Sequence, residues 1–335
     1  MNQCSRKFAV ISVWVALAAS TSLAQAGTYS GLVIFGDSLS DSGNNAALVG
    51  NTGTPPTSDQ EFSKIPYASG RYSNGPVWTE YLAARLGLQA TPSMLGGGNY
   101  AFGGAQTGID GTDGPGGFPF SMKTQLNMFL SNPMQSVNSS ELFIISGGGN
   151  NVRATLDDLA LNPANATAII GAAAANYASD ISSMVSTLEA KGARHILVVN
   201  TPNFGLTPAA LSAGVQGLGS LISGSMDAAL AASLGGDTAV LTFDFYAFLT
   251  QTVASANALG LSNVTNACGN VALQCDLSTS LFYDSIHPTT VGHQLLADAV
   301  YAQEFAQAVP EPSSYALLGL GLALLVGVRR ARKTS

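Results

Sequence analysis

The chain has 335 residues, 46% of them apolar and only 10% charged, with 37 glycines, 3 cysteines and a formal charge of −7. That length suits one large domain or two small ones with a sizeable core, and so apolar a composition excludes a disordered chain. Six of the 13 basic residues stand at the extreme ends, so residues 27–309 carry seven basic and nineteen acidic side chains, a net of −12. An acidic body with no basic cluster sets nucleic-acid binding aside.

Residues 1–26 open with Arg6 and Lys7, run apolar from Phe8 to Ala19 and close on Ala24-Gln25-Ala26. That is the layout of a secretory signal peptide, and the run is shorter than the roughly 20 residues a membrane span needs. The mature chain is expected to begin near Gly27, and Cys4 leaves with the leader. Cys268 and Cys275 remain, and in an exported chain two cysteines this close are expected to pair in a small disulfide loop. Zinc is the weaker alternative, because no histidine or further cysteine lies near.

From residue 31 onward, short apolar runs alternate with helix-length stretches. Gly-Leu-Val-Ile-Phe-Gly at 31–36 reads as a buried parallel strand, and 142–146, 196–200 and 240–245 repeat the pattern. The segment around 99–102 is a fifth candidate strand. Helices are predicted over 76–86, with Asn74 as cap and Pro76 in the first turn, and over 122–130, 168–191 and 289–305. The Gly- and Pro-rich stretches 51–66 and 108–119 read as surface insertions. Within the second, Asp110-Gly-Thr-Asp113-Gly lacks the ligand alternation of a calcium loop and reads as a solvated turn. Strand, helix, strand over one core predicts a three-layer α/β/α sandwich on a mainly parallel sheet of about five strands.

The end of the chain has three parts: Val309-Pro-Glu-Pro, sixteen uncharged residues over 313–328, then Arg329, Arg330, Arg332 and Lys333. This layout resembles the PEP-CTERM sorting signal of Gram-negative bacteria. The resemblance implies a sorting enzyme that processes the Pro-Glu-Pro site, transient inner-membrane anchoring, and delivery to the cell surface or matrix. An ordinary tail anchor is the alternative. The domain layout is therefore a signal peptide at 1–26, a working domain at 27–308 and a sorting segment at 309–335.

In open α/β sheets the ligand lies outside the carboxyl ends of the strands. Asp37-Ser38-Leu39-Ser40-Asp41 follows the first strand, Gly103-Gly104-Ala105 the segment at 99–102, and Gly147-Gly148-Gly149-Asn150-Asn151 the strand at 142–146. Asp284-Ser285-Ile286-His287 precedes the last helix. A hydroxyl, an imidazole, a carboxylate and amide donors are the parts of nucleophilic acyl transfer. Of the three histidines, His195 starts a strand on the far side of the sheet and His293 is a packing or surface residue of the final helix. Only His287 has a carboxylate three residues ahead. Alone, Asp284 reads equally as a turn residue or helix cap; beside Ser38 and Asn150 it reads as the partner of His287. The chain has no Gly-x-Ser-x-Gly elbow, Gly147-x-Gly149 lacks the third glycine of a dinucleotide loop, and nothing has metal-ligand spacing.

Together these blocks resemble the SGNH (GDSL) hydrolase family, in its lipase/esterase branch, through residues 35–44, 70–78, 99–105, 147–151, 200–208 and 284–289. The resemblance implies Ser38 as nucleophile, His287 as base and Asp284 as its orienter. It also implies an oxyanion hole from the Ser38 N–H, the Gly104 N–H (Gly103 being the alternative) and the Asn150 amide. Asn151 departs from the family, which usually has Asp there. The stretch 71–78 is expected to form one wall of the cleft. The expected activity is hydrolysis of carboxylic esters through an acyl-enzyme, with no cofactor. The alternatives are acyl transfer to a sterol, sugar or polysaccharide hydroxyl, and a catalytically silent surface or matrix-binding module.

Overall fold

Apolar runs without a polar break have to be covered on both faces of a sheet, and the runs at 32–35, 142–145 and 196–199 are of this kind. A computed structural model describes residues 29–56, 63–114, 116–237 and 239–306; the leader at 1–26 and the sorting segment at 309–335 lie outside the described residues. Strands β1 (Gly31–Gly36), β2 (Glu141–Ser146), β3 (His195–Val199) and β4 (Val240–Phe243) pair in parallel in that order. Successive side chains point to opposite faces. Leu32, Ile34, Leu142, Ile144, Leu197 and Val199 enter one core, while Val33, Phe35, Phe143, Ile145, Ile196 and Val198 enter the other.

Helices α1 (Asn44–Val49), α2 (Trp78–Arg85), α3 (Met122–Ser131), α4 (Gly149–Leu161), α5 (Ala166–Ala190), α6 (Pro208–Ala213), α7 (Gln216–Leu234), α8 (Phe245–Ala254) and α9 (Thr290–Val300) cover the sheet. α3, α4, α5 and α7 close the Phe143 side, and α2, α8 and α9 the Ile144 side. The architecture is the expected α/β/α sandwich. Of the helices, α1, α4, α6, α7 and α8 were not foreseen. The glycines and serines of α7 mask its period, yet Ile222, Met226 and Leu230 recur at helical spacing and are buried.

The sheet has four strands among the described residues, where about five were expected. The segment at 99–102 does lie beside β1: the Ile34 N–H donates to Gly98 O (3.0 Å), and the Tyr100 and Phe102 N–H groups donate to Ile34 O and Gly36 O (2.8 and 3.2 Å). With β1 it forms one parallel bridge, Ile34 to Asn99, and a second at Asn99 goes to Pro92. Its outward groups go to turns and side chains: Asn99 O accepts from Ser93 N–H and Asn44 Nδ2, and Ala101 N–H donates to Asn99 Oδ1. Counting this segment, the second sheet element in the chain lies on one side of β1 and all later ones on the other. Such a reversal opens a crevice at the carboxyl ends, here those of β1 and β2.

Element ends differ from expectation for local reasons. β4 stops at Phe243 because the Asp244 carboxylate accepts the Ala247 N–H (2.9 Å) and starts α8. α2 begins at Trp78, with Glu80 accepting the Val77 N–H (2.9 Å). Asn74 is not its cap; Asn74 Oδ1 instead accepts the Thr290 N–H (2.8 Å) at the start of α9. α9 ends at Val300 and continues as one π-helical turn, Tyr301–Phe305. Asp110 accepts from the Ser121 N–H and Thr124 Oγ1, which ties the insertion to the start of α3. Cys268 and Cys275 are disulfide-bonded, and the Cys268 and Gly269 N–H groups donate to the carbonyls of Phe282 and Tyr283. Among the described residues no helix is long and apolar enough to cross a membrane.

Candidate active site

Where β1 ends, Gln125 of α3 takes both backbone groups of Gly36: its Oε1 accepts the N–H (2.9 Å) and its Nε2 donates to the carbonyl (2.8 Å). The Asp37 carbonyl then accepts the N–H groups of Ser40 and Asp41 (both 3.0 Å), and Asp37 Oδ1 accepts the Leu39 N–H (3.0 Å). This tight turn holds Ser38 at its apex. The Asp41 carboxylate accepts N–H groups from Gly43, Asn44, Asn45 and, across the crevice, Gly103 (3.1 Å). Burial pushes Asp37 and Asp41 up to about 6, against the pull of those N–H donors and, for Asp37, of nearby His287.

Ser38 Oγ lies 2.7 Å from His287 Nε2, and His287 Nδ1 lies 2.6 Å from Asp284 Oδ2. Ser38 keeps 7% of its surface exposed and His287 2%, while Asp284 is wholly buried, so the hydroxyl is the member a ligand reaches. Asp284 Oδ1 accepts the N–H groups of Ile286 (2.8 Å) and His287 (2.6 Å), and Oδ2 also accepts from the Tyr67 hydroxyl (3.0 Å). Asp284 is thus a turn residue and the partner of His287 at once. It is not a helix cap, because Thr289 Oγ1 caps α9 through the Gly292 N–H. The Tyr72 ring packs 5.2 Å from the imidazole, centroid to centroid, at 34°.

The amide donors singled out in the sequence lie in the loops after β1, after 99–102 and after β2. The Gly103 N–H is held by Asp41, and a Cβ on Gly103 would run into the Tyr72 ring. Gly104, at φ +87°, is exposed, and its N–H has no acceptor among the described residues. The same is true of the Ser38 N–H. Asn150, in the first turn of α4, donates from Nδ2 to Ala105 O (2.9 Å), which leaves one amide hydrogen for a ligand. Asn151, the departure from the family pattern, accepts the Thr107 N–H (3.1 Å) and donates to Thr107 Oγ1 (2.9 Å). That hydroxyl donates onward to Asp180 (2.8 Å). An amide can both give and accept here, so Asn151 ties α4 to the glycine loop.

The cleft around Ser38, Asn150 and His287 is walled by Phe204, Phe245, Leu249, Phe282 and Ile286. Of the stretches singled out in the sequence, 200–208 supplies wall residues, whereas 70–78 does not line the cleft. It braces His287 from behind instead, through Tyr72 and through Ser73 Oγ, which donates to Pro288 O (2.9 Å). His195 lies at the amino end of β3, away from the site. His293 is fully buried, and burial, with His287 nearby, pushes it down to about 3. Sequence reasoning missed Gln125, Tyr67 and Arg153. Only Arg153 carried a signal, its place three residues after Asn150, just past the end of a matching block.

Residues 32–300 match the GDSL-like Lipase/Acylhydrolase family, and residues 308–333 match the PEP-CTERM protein-sorting motif. An uncharacterized protein from the trpE-trpG intergenic region of Pseudomonas putida is 29% identical over 86% of this chain and 50% of its own length. Esterase EstA of Pseudomonas aeruginosa is 26% identical over 82% of this chain and 46% of its own length. The GDSL esterase/lipase APG of Arabidopsis thaliana is 24% identical over 91% of this chain and 99% of its own length. The chain spans half or less of the bacterial relatives it matches. With the family match running from inside β1 to the last residue of α9, through every loop that borders the cleft, the chain belongs to the GDSL-like lipase/acylhydrolase family.

Proposed function

We propose that this chain is an exported serine esterase that hydrolyses carboxylic esters through an acyl-enzyme on Ser38. The observation that carries the reading is the contact series Ser38 Oγ to His287 Nε2 at 2.7 Å and His287 Nδ1 to Asp284 Oδ2 at 2.6 Å. Ser38 Oγ attacks the ester carbonyl while His287 Nε2 takes its proton, and the carbonyl π pair moves onto oxygen. The Ser38 N–H, the Gly104 N–H and the free hydrogen of Asn150 Nδ2 meet that oxyanion, each donor worth about 3 kcal/mol in the transition state. The tetrahedral adduct collapses, the ester C–O bond breaks, and Nε2 returns the proton to the leaving alcohol. Water then repeats the attack and releases the acid. Asp284 holds the Nδ1–H tautomer throughout.

Hydrolysis by the domain at 27–308 needs no metal or organic cofactor, since every proton and electron pair is accounted for by these side chains, the ester and water. The leader and the PEP-CTERM segment support export, transient tethering at the inner membrane and handling by a sorting enzyme. The test is Ser38→Ala, which is expected to abolish p-nitrophenyl ester turnover and labelling by a fluorophosphonate while preserving the circular dichroism spectrum. Full turnover by that variant would overturn the reading.

A further inference from the structure

Arg153 stands one helical turn beyond Asn150 on α4 and lines the same cleft as Ser38 and His287. Its Nη1 donates to Asn150 Oδ1 at 3.2 Å, while Asn150 Nδ2 donates to Ala105 O at 2.9 Å. The amide is therefore gripped at both ends, its oxygen by a cation and its nitrogen by a carbonyl. Neither grip uses the second amide hydrogen, the one turned over to the oxyanion in the proposed reaction. A guanidinium keeps its charge across the working pH range, so the grip on Oδ1 does not titrate away. A hydrogen bond from a cation to the amide oxygen draws electron density off the amide nitrogen and makes its hydrogens better donors.

We propose that Arg153 is a positioning residue for ester hydrolysis, acting through Asn150: it fixes the orientation of the amide and strengthens the donor that meets the charge of the tetrahedral adduct. The proposal rests on the reading of Ser38 and Asn150 given above. It requires no contact between Arg153 and the substrate. Charge develops only on the way to the adduct, so the effect belongs to kcat rather than KM.

The experiment is a double-mutant cycle on the full chain with a neutral p-nitrophenyl ester, comparing wild type, Arg153→Met, Asn150→Ala and the double variant. Melting temperatures and fluorophosphonate labelling are read alongside. Arg153→Met is expected to lower kcat about tenfold with KM within about twofold, and Asn150→Ala to lower kcat about a hundredfold. The double variant should be no slower than Asn150→Ala alone, because the residue that transmits the effect is already gone. Arg153→Lys, which keeps the charge without the fork, should recover part of the loss, and it stands in for Arg153→Met in the cycle should the latter fail to fold. Losses that multiply in the double variant, or a loss carried by KM, would overturn the proposal while leaving Ser38 as nucleophile. A wild type that neither turns over esters nor labels would overturn the parent reading and this one with it.

Discussion

Two aspartates at the carboxyl side of the sheet, Asp284 wholly buried and Asp227 half-buried, have opposite surroundings. Asp284 is met by four donors: the Tyr67 hydroxyl, the His287 ring and the N–H groups of Ile286 and His287. Asp227 of α7 is met by one, the Thr201 N–H (3.0 Å), and its Oδ2 has no partner among the described residues. Burial, with Asp244 adding repulsion, pushes Asp227 up to about 8. A carboxylate whose lone pairs are all engaged can serve as the fixed negative end of a hydrogen-bond series. A carboxylate buried with one donor holds its proton instead. In the proposed reaction this side chain is a tool in one corner of the fold; in the other it is a pH-dependent liability.

The largest effect expected to test this contrast is at Asp284. Asp284→Asn removes the charge and the acceptor that fixes the His287 tautomer, and kcat is expected to fall about a thousandfold or more. Near-normal kcat there would mean that the four donors serve only the turn.

Next comes the pH dependence of folding. Asp227 holds a proton up to about pH 8 when folded but only to about pH 4 when unfolded, so its contribution is complete below pH 4 and is lost as pH rises to 8. Asp37 and Asp41, at about 6, act in the same direction but only below pH 6. His293, at about 3, acts the other way, destabilising the fold as pH falls below 6.5. Between pH 6.5 and 8 Asp227 stands alone among these groups, and the folding free energy should drop by about 2 kcal/mol. Asp227→Asn should flatten that drop in denaturant melts and leave ester turnover unchanged, because Asp227 lines a separate notch at β4. A slope that survives the substitution would erase the difference between the two corners.

The smallest expected effect is that of Tyr67→Phe, which removes one donor of four from Asp284. It should cost about 1 kcal/mol, read as a severalfold loss of kcat. No loss at all would show that three donors suffice.

Much of this was legible in the sequence because it is written locally. Each central strand is one unbroken apolar run, and Asp284 and His287 stand three residues apart in one turn, so their pairing needs no knowledge of the fold. What stayed hidden depends on contacts across the chain. Gln125 reaches Gly36 across 89 positions with nothing near it to mark the role. Gly103 and Gly104 look alike in sequence, and only Asp41 and Tyr72 tell them apart by occupying the first. Residues 71–78 were expected in the wall of the cleft, whereas burial of Tyr72 puts its ring behind the imidazole. The helix α7 was concealed by Gly217, Gly219 and Gly224, whose poor propensity is outweighed by packing on α5.

Asp41 grips the N–H of Gly103 while its own N–H is bound to the carbonyl of Asp37, the residue before Ser38. In the proposed reaction the attacking oxygen of Ser38 and the donor next to Gly103, the Gly104 N–H, are therefore mounted on a common bracket. A fluctuation that carried one away would drag the other along, so the spacing between attack and charge relief is guarded by a few neighbouring atoms rather than by the rigidity of the entire sandwich.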